Sequence, residues 1–318
     1  MRERVRKTDT FTLKSGHLPV GSGHKIWYES WGNPKAKIPV LFFHGGPGGQ
    51  FKSKHKYGFD PKVHHVIGFD QRGSGNGPPY GKLEHNTTED LLTDSIKLLK
   101  HLGVKRVYIE GGSWGSTLAL LFSMTYPEVT VATIIRGVFT GTKKEIDYID
   151  KGYFQNFYPE VWERFVASVP AAFKDEPGRY HYDVLRGTKK KDILASAKAL
   201  EDLERPLLGF NWQGYSPDYT QELPDTDSEY DYVPYQIYAH YMDNACFLED
   251  DYIIKNAKTI KTPLHIVQGR YDMVCPPVTA YKIHSAVSHS KLFMTLGSHG
   301  HDPENKTALD VLRSTVFM

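Results

Sequence analysis

The chain has 318 residues, 40% hydrophobic and 24% charged, the balance of an ordinary globular protein and not of a disordered or fibrous one. Its 39 basic and 37 acidic side chains leave a formal net charge of +2, so no basic field is present to recruit nucleic acid. No run approaches the ~18 uninterrupted apolar residues of a membrane span, no apolar stretch of secretory type follows the basic Met1–Lys7, and Cys246 and Cys275 are too few for a disulfide framework; a cytoplasmic chain is expected.

In chain order, Lys25–Glu29 and Val40–Phe43 read as strands, the second leading into His44-Gly45-Gly46-Pro47-Gly48-Gly49. Val63–Phe69 is a further strand, followed by Asp70-Gln71-Arg72-Gly73-Ser74-Gly75. That turn holds a G-x-G but neither a phosphate-loop lysine nor the full dinucleotide fingerprint, and reads as structural. His64-His65 lies on the strand, where neighbours face opposite ways, so it is a poor chelating pair; no other cluster has metal-ligand spacing. Thr88–Leu99 is a helix with a threonine at its start and leucines at helical spacing. Val107–Ile109 is a short buried strand, Ser116–Met124 a helix, and Val131–Ile135 another strand. From about 141 to 240 the chain is rich in Tyr, Phe, Trp and Lys and shows no βαβ unit, only short helices such as Lys191–Leu203. The sheet resumes at Pro263–Gly269 and Leu292–Leu296. Strands alternating with helices predict an α/β fold with a mostly parallel sheet flanked by helices. Its core would be formed by residues 1–140 and 241–318, with 141–240 as an inserted, mainly helical cap.

Gly111-Gly112-Ser113-Trp114-Gly115 sits between strand and helix. A G-x-S-x-G in that context is the nucleophile elbow of a serine hydrolase: the sharp turn exposes the serine hydroxyl, and the flanking glycines let strand and helix approach. The elbow supplies one oxyanion donor, the N–H of Trp114, and a glycine-rich loop after an earlier strand supplies the second. Pro47 has no N–H, so that donor is Gly45 or Gly46. The acid and the histidine should follow in that order. Asp272 comes just after the strand ending at Gly269. Of fifteen histidines, only His299 and His301 fall in the loop after the last strand.

These stretches, with Arg136-Gly137-Val138-Phe139 and Gln268-Gly269-Arg270-Tyr271-Asp272, resemble the proline iminopeptidase (prolyl aminopeptidase) family of α/β-hydrolases over nearly the whole chain, most weakly between Thr140 and Tyr238. The resemblance implies the α/β-hydrolase fold and a serine aminopeptidase that releases N-terminal proline, or another small residue, from short peptides without a cofactor or metal. It implies Ser113 as nucleophile, Asp272 as orienting acid, and Gly46 with Trp114 as oxyanion donors. The family histidine follows a glycine, which favours Gly300-His301, although the loop is one residue longer and keeps His299 in contention. Family members bind the free amine with cap glutamates, one in a Trp-Glu-Gly motif and one in Glu-Asn-His-Tyr. Here the corresponding stretches read Trp212-Gln213-Gly214 and Tyr238-Ala239-His240-Tyr241, so both carboxylates are replaced. Arg136, which lies near those glutamates in the family, is left to meet a substrate carboxylate or another cap acid. Phe139, Gln213, Tyr238 and Cys275 complete the candidate substrate-binding set. The acidic stretch from Glu222 to Asp231, or Asp243, is a source of a replacement carboxylate. The alternatives are an esterase or acyl-amide hydrolase and, behind it, a non-catalytic ligand-binding relative. The expected partner is a small peptide or amide; nothing in the sequence points to an oligomeric state.

Overall fold

The computed structural model describes residues 9–209, 230–300 and 302–318. Eight strands form one sheet: β1 (Thr12–Gly21), β2 (His24–Gly32), β3 (Val40–Phe43), β4 (His65–Phe69), β5 (Val107–Ser113), β6 (Thr130–Val138), β7 (Leu264–Gly269) and β8 (Lys291–Thr295). They lie in the order β1-β2-β4-β3-β5-β6-β7-β8. β1 and β2 run antiparallel to their neighbours, and the six strands β3 to β8 pair in parallel. This is the α/β-hydrolase architecture anticipated above.

The apolar runs reflect burial of the sheet on both faces. Side chains alternate across a strand. Leu41 and Phe43 of β3 therefore join Ile67, Phe69 and Ile109 on one face, while Val40 and Phe42 join Val66, Tyr108 and Ile134 on the other. The first face is covered by α1 (Thr88–His101) and α2 (Trp114–Thr125), with Phe43 against Phe122 at a ring separation of 5.8 Å. The opposite face receives Leu309 and Leu312 from the C-terminal helix Pro303–Val316. Each such side chain, fully buried, contributes about 1.5–3 kcal/mol.

The threonine that caps α1 is Thr87, one residue ahead of the expected start. Its hydroxyl accepts from the Asp90 N–H, and the Asp90 carboxylate accepts from the Thr87 N–H. The Asp70–Gly75 turn is held structurally. The Asp70 carboxylate accepts from the backbone N–H groups of Phe51 (2.7 Å) and Asn76 (2.8 Å). Arg72 is buried in a two-pronged pair with Asp94 at 2.5 and 2.8 Å. β1 was not anticipated. It is an edge strand with Pro19 in it and much of its surface exposed, so neither apolar alternation nor strand propensity marks it.

Between β6 and β7 lie α3 (Lys143–Asp150), α4 (Pro159–Ala167), α5 (Pro177–Leu185), α6 (Lys190–Glu204) and α7 (Val233–Asp243). After them come α8 (Tyr252–Asn256), α9 (Pro277–Ala286) and the C-terminal helix, α10 (Pro303–Val316). No helix among the described residues is long and apolar enough to cross a membrane.

Candidate active site

β5 runs on through the glycines to Ser113, which takes φ 56°, ψ −130° before α2 begins at Trp114. A positive φ on a non-glycine residue costs of order 1–3 kcal/mol and persists only where the surroundings enforce it. Here the glycines permit it. A Cβ on Gly111 would stand 2.1 Å from the Gly115 carbonyl oxygen, and one on Gly115 would stand 2.2 Å from that of Phe43. The turn is also tied to the end of β6. The Ser116 hydroxyl donates to the Ser113 carbonyl (2.7 Å) and accepts from the Phe139 N–H (3.0 Å), while Thr117 donates to the Phe139 carbonyl (2.8 Å).

The loop after β3 folds over this turn. A Cβ on Gly45 would lie 3.4 Å from that of Ser113. Gly46, at φ +135°, lines the cavity beside Ser113. Trp114 opens α2, so its N–H has no intrahelical acceptor and is available at the helix's positive end. The loop and helix are braced by Gln71. Its amide donates to the His44 carbonyl (3.0 Å) and accepts from the Trp114 indole N–H (2.9 Å), while its backbone N–H donates to His44 Nε2 (3.1 Å).

Asp272 is buried beneath the cavity. Its Oδ1 accepts from the backbone N–H groups of Val274 (3.0 Å) and Cys275 (2.7 Å), and its Oδ2 from the Gln268 amide (3.1 Å). The Gln268 oxygen accepts in turn from the Val138 N–H at 2.9 Å, joining β7 to β6. The histidine facing this carboxylate is His299, with Nδ1 at 2.9 Å from Oδ2. That contact fixes the tautomer in which the other ring nitrogen, Nε2, is the free base. His301 lies outside the described residues, as do Gln213 and the acidic stretch up to Glu229.

His299 is held from β6. The Arg136 guanidinium donates to the His299 carbonyl and packs against Gly112. Arg136 thus grips the histidine loop instead of a cap acid or a carboxylate in the pocket. Burial pulls its pKa down, with the nearby Asp272 carboxylate opposing. Gly137 (φ +54°) forms the floor beneath the imidazole: a Cβ there would lie 3.0 Å from His299 Cε1 and 3.1 Å from Nδ1.

Ser113 and His299 open onto one cavity of about 170 Å³ that is partly open to solvent. Its walls include Phe139, Tyr238 and Cys275 from the sequence-derived set, and the carboxylates of Glu145 and Glu204. Burial, reinforced by Asp272, pushes the Cys275 thiol well up, so it stands as a neutral wall and not as a rival nucleophile. Asp272, Cys275 and His299 are the one convergent trio of metal-capable side chains among the described residues. The hydrogen bonds to both Asp272 oxygens and the protonated thiol make it an acid–base pair beside a thiol.

Sequence reasoning missed Glu204. It ends α6, where an acidic residue reads as solvated surface. In the structure burial lifts its carboxyl to about 7, with Asp150 and Glu201 adding to the rise and nearby Tyr238 opposing it. Glu145 differs. Its carboxylate is occupied by the backbone N–H groups and hydroxyls of Thr140 and Thr142, at 2.6 to 3.2 Å.

Residues 38–303 match the model of the alpha/beta hydrolase fold family. A probable proline iminopeptidase of Leptolyngbya boryana is 37% identical over 88% of this chain and 86% of its own. The proline iminopeptidase of Xylella fastidiosa strain Temecula1 is 34% identical over 92% and 93%. The chain belongs to the proline iminopeptidase family. Solved structures extend the likeness of fold: the enol-lactonase of Burkholderia xenovorans superimposes with a TM-score of 0.62 at 16% identity, covering 95% of this chain and 99% of that one. The carboxylates on the cavity wall of this chain come from α3 (Glu145) and α6 (Glu204).

Proposed function

We propose that the protein is a serine aminopeptidase that releases an N-terminal proline, or another small residue, from short peptides, with Ser113, His299 and Asp272 as its triad. The observation that carries this reading is the His299–Asp272 pair, which faces the same cavity as the strained Ser113. Ser113 Oγ attacks the carbonyl carbon while His299 Nε2 takes its proton. The imidazolium is stabilised by Asp272 and gives the proton to the departing amine. The N–H groups of Trp114 and Gly46 receive the oxyanion, each worth ~3–4 kcal/mol of transition-state stabilisation. Water then repeats the sequence on the acyl-enzyme. The helices of residues 141–240 act as the cap that closes the site to long chains.

The amine falls to Glu204. Of the carboxylates on the cavity wall, that of Glu145 already has its donors, whereas Glu204 stands on the same wall with Tyr238, raised by burial toward the neutral form that a cation would ionise. This favours an aminopeptidase over the esterase and acyl-amide readings, which rested on a pocket without a counter-charge. The test is the ratio of kcat/KM for a proline arylamide to that for its N-acetyl derivative. Losing the partner of a largely desolvated cation costs ~3–5 kcal/mol, so Glu204→Gln should lower that ratio by about a hundredfold or more. A ratio near one in the unaltered protein, or one unchanged by Glu204→Gln, would remove the amine site. Wild-type-like fluorophosphonate labelling of Ser113→Ala would remove the nucleophile.

A further inference from the structure

The loop that carries His299 lies between β8 and α10 and belongs to neither, and side chains hold it. Asn305, fully buried in the first turn of α10, donates its side-chain amide to the Ser298 carbonyl at 2.8 Å and to the Gly300 carbonyl at 2.9 Å. Its amide oxygen accepts from the hydroxyl of Thr295, the last residue of β8, at 2.5 Å. That hydroxyl accepts in turn from the Gly297 N–H at 3.3 Å. Gly297 leaves room for the amide: a Cβ there would stand 2.9 Å from both its oxygen and its nitrogen. Asp302, at the N-cap of α10, adds to the hold by accepting from the Ser298 N–H and hydroxyl, each at 2.5 Å.

A side-chain amide offers two N–H groups and one oxygen. Here both N–H groups go to loop carbonyls and the oxygen takes the Thr295 proton, so the amide is satisfied in one orientation only. Turned over, its oxygen would face two carbonyl oxygens. The two carbonyls it holds are those of the residues on either side of His299, and the His299 carbonyl between them goes to Arg136. The peptide units flanking the His299 Cα are Ser298–His299 and His299–Gly300. Each is planar, so holding its carbonyl holds its plane. Asn305 holds the first and Arg136 the second, and together they set the direction of the His299 Cα–Cβ bond. Asp272 holds Nδ1 at the other side of the ring. Fixed at its root and at Nδ1, the imidazole has little freedom left at Nε2.

We infer that Asn305 is a positioning residue for the reaction: it acts through the backbone of the histidine loop to aim His299 Nε2, and Thr295 orients the amide that does so. The inference rests on His299 as the general base. The cavity is lined without Asn305, so its influence on the rate passes through the loop and not through contact with substrate. Without the amide, the Ser298 and Gly300 carbonyls lose their donor and the Ser298–His299 peptide is free to turn. Nε2 then moves relative to Ser113 while the pocket that binds substrate stays as it was. A displacement of 1 Å between reacting groups costs on the order of a hundredfold in rate, so a shift of a few tenths is enough to be read in kcat.

The test uses the full chain, with active sites counted by fluorophosphonate titration. Asn305→Ala should lower kcat per titrated site on a proline arylamide by about ten- to a hundredfold, with KM changed by less than about twofold. The rate of fluorophosphonate labelling, which needs no knowledge of the natural substrate, should fall in step. Thr295→Val removes the proton that orients the amide and should lower kcat several-fold, with Thr295→Ser restoring it; this pair decides the matter if Asn305→Ala does not fold. In the Asn305→Ala background Thr295→Val should cost nothing further in kcat. A purely structural Asn305 would lower the yield of titratable sites and the Tm but leave kcat per site unchanged, and that result would overturn the inference. So would a fall in kcat shared with a large rise in KM, or additive losses in the double variant. His299→Ala separates the inference from the reading beneath it. If that variant keeps its activity, the triad and the role of Asn305 both fall. If it is inactive while Asn305→Ala keeps its kcat per site, the role of Asn305 alone falls.

Discussion

Gly137→Ala places a methyl group where the structure has only the face of the His299 ring. At 3.0 Å from Cε1 and 3.1 Å from Nδ1, that carbon is about half an ångström inside the optimal separation of ~3.5 Å or more. The backbone at φ +54° adds roughly 1–2 kcal/mol of strain for any residue with a Cβ. The ring cannot retreat freely, because Asp272 holds Nδ1 and Arg136 holds the His299 carbonyl. The clash is relieved by a shift of a few tenths of an ångström that rotates Nε2 away from Ser113. A 1 Å misplacement costs on the order of a hundredfold in rate, so kcat should fall by about ten- to a hundredfold with KM nearly unchanged. Stability should fall by only ~1–2 kcal/mol, a Tm decrease of a few degrees. Steady-state kinetics on a proline arylamide, with a thermal melt of the same preparation, measures both. A variant that loses stability but keeps wild-type kcat would show that Gly137 serves the backbone alone, and the account of how His299 is aimed would be wrong.

Three further outcomes are expected. His299→Ala should lose several orders of magnitude in kcat and His301→Ala should keep most of its activity; the reverse result in paired assays would move the base two residues along. Gln268→Leu strips the amide from Asp272 Oδ2 and the acceptor from the Val138 N–H, so kcat should drop about tenfold or more and stability by ~1–3 kcal/mol; unchanged kinetics would remove Gln268 from the positioning of the acid. Asp150, lifted to about 7 by burial, binds a proton in the folded chain that the unfolded chain has already released above about 4. Folding stability should therefore fall as pH rises from about 4 to 7 and stay low above that. Asp150→Asn should match the wild-type Tm near pH 4 and exceed it at pH 8, and a difference in Tm that stays the same at both pH values would contradict that assignment.

What could be read from the sequence was what local chemistry dictates. Val40–Phe43 and Val107–Ile109 are buried on both faces, and an unbroken apolar run announces that. The elbow needs glycine two residues either side of Ser113, because a Cβ at either place would strike a carbonyl. The choice of histidine was not legible. His299 and His301 are two residues apart in sequence, and what holds His299 against Asp272 comes from Arg136 and Gly137, more than a hundred residues earlier on β6. Glu204 was hidden for a similar reason. On α6 it continues an acidic, helix-forming pattern, and only the placement of that helix brings it to the cavity wall. β1 escaped because an exposed edge strand lacks the alternation by which strands are recognised.

Gly48 sits at φ +85° in the loop over Ser113, and a Cβ there would lie 2.4 Å from the carbonyl oxygen of Pro234, near the start of α7. A few residues on, Tyr241 of the same helix packs against Trp114 with ring centroids 4.9 Å apart. One helix thus presses on both the loop and the helix start that we propose supply the oxyanion N–H groups. Grafting residues 141–240 from a relative would not be a neutral exchange of specificity modules, since the transplant would also reset the spacing between the two donors. On the proposed mechanism substrate range and turnover are mechanically geared to each other, and a chimera that keeps its rate must carry along the Gly48–Pro234 contact and the tilted Trp114–Tyr241 ring contact.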